Sequence, residues 1–453
     1  MKTKRFFAII FLFALLGNLL SLPAAGTEAL GEVQAKAALL VDQRTGAVIY
    51  AKNEHQELYP ASLTKIMTAL LVLEAIDEGR LSMDQSITAT ETSMETLADD
   101  GSTAGIKVGE TMTVEQLLYC MLVVSANEAC TILGEQVSGS VSAFVDDMNA
   151  KAEELGCENT HFMNPHGLHD PQHYTSAWDL YLITKAAMEY PEFMTICDTT
   201  SITIPATNMS PERPLYNTNY LICGYRSRGY LNGDAHGVKT GSHSQAGHCL
   251  VATAQRASMS LLSVVLGADR VQDDEGVWWT YSFGETNRMF NWAFENFTYQ
   301  TVLEEHDVAG EAPVSLSRMD HVTLRPAQAV EILVPRDLNP EDLERTITLK
   351  ADPVEAPIAE GDVLGTLTIS KDGKDYAAVD LLALNDVEAS RIRVLWRDVK
   401  EFASTLQARI GAVVLGVVIA LFLVWKLIFS KRRYRYGRSV GSGRANGYRG
   451  RKR

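Results

Sequence analysis

The chain has 453 residues, 46% of them hydrophobic and 21% charged. That is enough for two or three domains with a sizeable buried core, and it excludes a small stapled scaffold or a disordered polymer. The net charge of −15 hides an asymmetry: the last 24 residues carry +10 and the first 29 carry +2, leaving −27 on residues 30–429, an exterior that does not seek nucleic acid.

In chain order, residues 1–29 read as a secretory signal peptide: Lys2, Lys4 and Arg5, an apolar run from Phe6 to Leu20, then Ala24, Ala25 and Gly26. Ala37–Val41 and Ala47–Tyr50 flank a polar turn and predict a β-hairpin. From Ser62 to Glu78 the apolar spacing predicts a buried helix that begins at Ser62 and ends at Gly79. A second helix is expected over Thr113–Val124, with Thr113 and Gln116 spaced as a capping box, broken by Ser125-Ala126-Asn127 before Glu128–Val137. Phe144, Met148, Ala152 and Leu155 mark a third, and Ser176 with Asp179 can cap a fourth that runs to Met188. Gly237–Gly241 leads into Cys249–Ala254, and Ser258–Leu266 is a neighbouring strand-like run. Trp278–Phe283 and Met289–Phe297 read together as a long helix that closes a first domain over 30–297.

Beyond it, Val322–Leu324, Val330–Val334, Ile347–Leu349 and Gly365–Val379 are short strand signals, the last broken by an Asp372-Gly373 hairpin turn. They predict a β-rich domain over 298–387. Residues 388–409 form an amphipathic juxtamembrane helix and 410–429 a transmembrane helix. The tail, 430–453, has ten Lys or Arg and no Asp or Glu, so it stays in the cytoplasm and the catalytic candidates face outward. Six cysteines stand singly with no spacing that dictates a bridge.

The chemistry is concentrated in three short motifs. Ser62 and Lys65 lie one helical turn apart, so their side chains share a face. A serine hydroxyl needs a base, and a lysine serves only when burial or nearby positive charge lowers its pKa. Ser125-Ala126-Asn127 and Lys239-Thr240-Gly241 follow in order. Seven histidines lie near these motifs, but none shares a recognised ligand spacing with a carboxylate, so no metal or other cofactor is expected.

This ordered trio resembles the serine penicillin-recognising enzymes, in which S-x-x-K, S-x-N and K-T-G converge on one cleft. With the residues flanking Ser62, Asn164–Leu168 and Ala246–Leu250, it resembles the D-alanyl-D-alanine carboxypeptidases among the low-molecular-mass penicillin-binding proteins; Gly361–Gly365 and the following strands resemble their C-terminal domain. The resemblance implies an α/β (α+β) fold: an antiparallel sheet flanked by helices, a helical subdomain, a small β-rich domain and the C-terminal transmembrane helix. It also implies roles. Ser62 is the acylated nucleophile, Lys65 its base and Ser125 a proton relay. Asn127 orients the substrate amide and Lys65, and Lys239 supplies positive charge that also helps lower the pKa of Lys65. Thr240 and Gly241 lie on the substrate-binding strand, and the backbone N–H groups of Ser62 and Ser242 form the oxyanion hole.

The implied partners are peptidoglycan stem peptides, β-lactams as covalent inhibitors and the membrane through the C-terminal helix. There are departures: His243 stands where the family usually has threonine, and Arg270 is the nearest candidate for an arginine that holds the substrate carboxylate in some members. The same machinery cleaves peptide cross-links, which makes an endopeptidase the second reading. A class A β-lactamase would need a glutamate in a loop that here reads His161–Asp170 with none, and three intact motifs argue against a silent binding scaffold.

Overall fold

The computed structural model describes residues 30–95, 97 and 101–430; the signal peptide and the basic tail beyond Ser430 lie outside the described residues. The chain divides into two units. The first runs to Glu304 and takes in Gln328–Thr346 and Thr368–Ala378. The second comprises Glu305–Ala327, Ile347–Leu367 and the chain from Val379.

The first unit is built on five antiparallel strands: β1 (Ala37–Asp42), β2 (Val48–Lys52), β3 (Ala235–His243), β4 (Gly247–Arg256) and β5 (Met259–Ala268), in the order β2-β1-β5-β4-β3. All six residues of β1 are buried, because both faces of the sheet are covered. Ala37, Leu39 and Val41 join one apolar cluster, Ala38 and Leu40 the other. A strand covered on both sides reads as a continuous apolar run instead of an alternation, as Ala37–Val41 does.

The first cluster packs under helices α1 (Lys65–Asp77), α2 (Val114–Val123), α3 (Asn127–Ser138), α4 (Val141–Glu154) and α5 (Ala177–Ala187). The second packs under α6 (Tyr281–Asn296), through Phe283, Met289, Phe290, Ala293 and Phe294. Capping follows the sequence signals. Thr113 Oγ1 accepts from the Gln116 N–H at 3.2 Å while Gln116 Oε1 accepts from the Thr113 N–H at 3.0 Å, and Ser176 Oγ accepts from the Asp179 N–H at 3.0 Å.

Two expectations change. The helix expected from Ser62 opens instead as a 3-10 turn, Ala61–Thr64, before α1 begins at Lys65. The aromatic run is not all helix: Trp278–Thr280 is a short strand paired with Arg270–Gln272, and α6 starts only at Tyr281. Trp-Trp-Thr has strong strand propensity, and the extended form is held by Trp279 Nε1 donating to Asp273 Oδ2 at 3.1 Å and the Thr280 N–H donating to the Tyr230 hydroxyl at 2.7 Å.

In the second unit, Gly310–Ser315 pairs antiparallel with His321–Pro326 and parallel with Val354–Glu355, and Leu324 pairs with Ala383. Asp372 and Gly373, in the Thr368–Ala378 segment of the first unit, sit at φ 52° and 77° between Val363–Lys371 and Lys374–Ala383, the positive pair that a type I′ turn demands. Helix Arg391–Ser404 leaves Ile392, Leu395, Trp396, Val399 and Phe402 exposed. The helix Leu406–Phe429 starts four residues earlier than expected; among the described residues it alone is long and apolar enough to cross a membrane.

Thr113→Ala removes one half of the reciprocal cap on α2 and should lower unfolding stability by about 1 kcal/mol, read as a reduced urea midpoint at unchanged slope.

Candidate active site

Ser62 lies in the 3-10 turn and Lys65 is the first residue of α1. A 3-10 turn has 3.0 residues per turn, so side chains at i and i+3 stack directly, and Lys65 Nζ sits 2.9 Å from Ser62 Oγ. Nζ also donates to Asn127 Oδ1 at 2.8 Å and to the backbone oxygen of His166 at 2.7 Å. Three acceptors satisfy an ammonium. Two of them, an amide oxygen and a carbonyl, can only accept. Ser62 Oγ alone can reverse the direction, so when Lys65 is neutral the hydroxyl donates into its lone pair and the other two bonds persist. Loss of the lysine proton therefore points the serine proton at the amine.

Lys65 is 0% exposed and Lys239 1%. Burial lowers the Lys65 pKa to about 8, against the opposing pull of Cys130 and Glu128. Lys239 falls further, to about 7, through burial first and repulsion by Lys65 second. Burial is the first cause for both, and the repulsion between the two buried amines disfavours their being charged together.

The Ser125-Ala126-Asn127 segment is the junction between α2 and α3. Ser125 has φ 66°, in the left-handed region, and its Oγ is buried without a hydrogen-bond partner. Asn127 opens α3, its N–H bonded to the Ser102 oxygen at 2.9 Å. Ala61, just before Ser62, is also left-handed at φ 49°. Neither is glycine, so both positions carry backbone strain within the motif segments.

On β3, alternation puts Lys239, Gly241 and His243 on one face and Thr240 and Ser242 on the other. The first face turns toward the 3-10 turn: a Cβ at Gly241 would lie 2.8 Å from the Pro60 oxygen and 3.1 Å from the Ser62 nitrogen. Only glycine lets the strand approach so closely. His243 packs beside Tyr59 and His169, with ring centroids 6.2 and 5.4 Å away. The hydroxyls on the opposite face are those of Thr240 and Ser242, and Thr240 Oγ1 lies 2.7 Å from Thr218 Oγ1. Thr218 carried no signal in the sequence. Arg270, on the edge hairpin, has its guanidinium over the Trp278 ring at 5.1 Å.

The loop over 161–174 supplies the carbonyl that receives Lys65. A Cβ at Gly167, which has φ +87°, would fall 1.9 Å from the Ala61 oxygen. His173 Nδ1 accepts from the Met163 N–H at 3.1 Å, so its Nε2 carries the proton and donates to Thr64 Oγ1 at 2.8 Å. Thr64 in turn donates to the Ala61 oxygen at 2.8 Å. Burial pushes His166 and His173 down to about 3, which keeps both neutral. Among the described residues no three His, Cys, Asp or Glu side chains converge as a metal-holding group. All six cysteines are free, and burial pushes the Cys120, Cys130 and Cys157 thiols up to about 12.

The sheet, its helical cover and this cleft make up the fold of the penicillin-recognising serine hydrolases. Residues 24–270 match the family described as D-alanyl-D-alanine carboxypeptidase, and residues 297–389 match the penicillin-binding protein 5 C-terminal domain. The chain is 33% identical to the D-alanyl-D-alanine carboxypeptidase DacF of Bacillus subtilis, over 78% of this chain and 86% of that one. It is 32% identical to DacA of Haemophilus influenzae, over 81% and 88%. The crystal structure of penicillin binding protein 5 from Haemophilus influenzae superposes with a TM-score of 0.65 at 31% identity, covering 79% of this chain and 98% of that one. The chain belongs to the D-alanyl-D-alanine carboxypeptidase family.

Two predictions follow from the geometry. Gly167→Ala should cost at least about 2 kcal/mol and slow acylation of Ser62, read by urea unfolding and by fluorescent-penicillin labelling. If Lys65 is the base, the acylation rate should rise with pH through about 8, because only the neutral amine can take the proton; a rate independent of pH from 6 to 9 would exclude that role.

Proposed function

We infer that this chain is a serine-type carboxypeptidase that removes the terminal D-alanine from peptidoglycan stem pentapeptides through an acyl-enzyme on Ser62. The observation that carries this reading is the buried Lys65 amine at 2.9 Å from Ser62 Oγ, with its pKa lowered to about 8. Neutral Lys65 takes the hydroxyl proton as Oγ attacks the penultimate D-alanine carbonyl. The backbone N–H groups of Ser62 and Ser242 receive the developing oxyanion. The C–N bond then breaks, and Ser125 relays the proton to the departing D-alanine amine. Water repeats the sequence on the ester, with Lys65 again as base, and frees Ser62.

Asn127 orients Lys65 and the substrate amide, while Thr240 and Gly241 line the strand beside the substrate. When the substrate carboxylate arrives, it favours the charged form of Lys239, and that charge in turn favours the neutral form of Lys65. Binding thus supports the protonation state that the chemistry needs. A β-lactam is a strained cyclic amide bearing a carboxylate; it acylates the same serine, and its tethered leaving group hinders the water.

The segmentation we assign is a signal peptide over 1–29, the catalytic domain over 30–297, a β-rich spacer over 298–387, a juxtamembrane helix over 388–409, a single span over 410–429 and a cytoplasmic tail over 430–453. The apolar helix Leu406–Phe429 and the ten basic residues after it support this orientation.

Ser62→Ala should abolish both penicillin labelling and D-alanine release from a pentapeptide, and Lys65→Ala should slow acylation by at least about a hundredfold in a folded protein; D-alanine release by Ser62→Ala at the wild-type rate would refute the nucleophile. Protease added to intact protoplasts should remove the catalytic domain and spare an epitope placed after Arg453, and loss of that epitope would refute the orientation.

A further inference from the structure

Glu128 directly follows Asn127, and none of the steps above uses it. Its side chain is 3% exposed. One carboxylate oxygen, Oε1, accepts from Thr103 Oγ1 at 2.7 Å, from the Ala104 N–H at 2.7 Å and from the Ile106 N–H at 3.3 Å. With the bond from the Asn127 N–H to the Ser102 oxygen, it ties the irregular segment 102–106 to the first turn of α3. The far side of that segment is fastened separately: Arg213 donates to the Ala104 oxygen at 2.9 Å and pairs with buried Glu110. Four bonds from two consecutive residues thus fix the place where Asn127 leaves α2 and enters α3.

The carboxylate also has an electrostatic position. It lies in the first turn of α3, where the helix dipole favours a negative charge. Titratable groups face Lys65 from several elements: Lys239 from β3 and His166 from the 161–174 loop are both lowered by it, and Cys130 and Glu128 from α3 both raise it. Of these only Glu128 is a carboxylate, and it draws a proton toward Lys65. Without that carboxylate the neutral form of Lys65 would persist to still lower pH, so Glu128 helps set the pH at which the amine can act as base.

We propose that Glu128 is a positioning residue for the acylation step: it anchors Asn127, and through it Lys65, against segment 102–106, and its negative charge acts on the Lys65 amine. This rests on the reading of Lys65 as the base. Its signature separates it from a residue that merely stabilises the fold. Glu128→Gln keeps the shape and an acceptor but removes the charge, so the neutral form of Lys65 should persist to lower pH.

The test is the rate of fluorescent-penicillin acylation by the detergent-solubilised full chain from about pH 6 to pH 10, for wild type, Glu128→Gln and Glu128→Ala. Glu128→Gln should move the acid limb of the profile down by about half to one pH unit. Glu128→Ala, which frees the segment, should lower the high-pH rate at least about tenfold. A Glu128→Gln profile with the wild-type limb, whatever its height, overturns the action of that charge on Lys65 and with it the proposal; Glu128→Ala acylating at the wild-type rate overturns the anchoring. If Glu128→Ala does not fold, the limb of Glu128→Gln decides. Failure of wild type to label at Ser62 would refute the reading of the activity itself, a separate outcome.

Discussion

An amine taken wholly out of water must find an acceptor for each of its hydrogens or give up its charge, and Lys65 meets that demand with acceptors from three separate parts of the chain. The 3-10 turn provides Ser62 Oγ, the start of α3 provides Asn127 Oδ1, and the 161–174 loop provides the His166 carbonyl. Much of the surrounding architecture keeps these three in reach. Gly167 lets the loop lie against the Ala61 carbonyl, the His173–Thr64–Ala61 chain of hydrogen bonds secures that contact, and Thr68 Oγ1 donates to the Pro165 oxygen at 2.6 Å. These contacts determine the direction in which the serine proton points.

The same burial that lowers the pKa of the amine accompanies a sheet covered on both faces. A lysine lowered to about 8 requires exclusion of water on all sides. The helices over one face and α6 over the other give β1, β4 and β5 a mostly apolar interior, and Lys65 and Lys239 are buried as well. Two of the left-handed non-glycine residues lie in the motif segments: Ala61 directly precedes Ser62 and Ser125 opens the α2–α3 junction, and the packed turn and the junction hold them there.

The motif residues were legible because their chemistry is written in short spacings: Ser62 with Lys65, Ser125 with Asn127, and Lys239 with Gly241. The caps at Thr113 and Ser176 were legible for the same reason, being local hydrogen bonds between residues three apart. What the sequence concealed is long in range. The His166 carbonyl is 101 residues from Lys65, Thr218 is 22 from Thr240 and Glu128 is 25 from Thr103. No local pattern encodes such partners. Depth of burial, the first cause of the lowered Lys65 pKa, is likewise a property of the whole packed unit, whereas a neighbouring charge can be inferred from a motif. At Trp278–Thr280 the aromatic run carried the helical reading too far, and Asp273 with Tyr230 held the segment extended.

β3 is the last strand of its sheet. Its first half is occupied: Asn219 donates to the Gly237 oxygen, and Asp198 accepts from the Gly237 N–H at 3.2 Å. From Lys239 onward no further strand among the described residues pairs with that margin, and there the chain passes Ser62 through the gap that Gly241 leaves. An extended peptide can therefore join the sheet as its sixth strand, held by main-chain groups common to every sequence. A ligand gripped in that way is recognised by the shape of its backbone, so any compact molecule that reproduces one amide and one carboxylate in the right register is admitted with few side-chain credentials. Vulnerability to such mimics is thus a property of the sheet's unfinished edge, and it cannot be removed without also refusing the substrate.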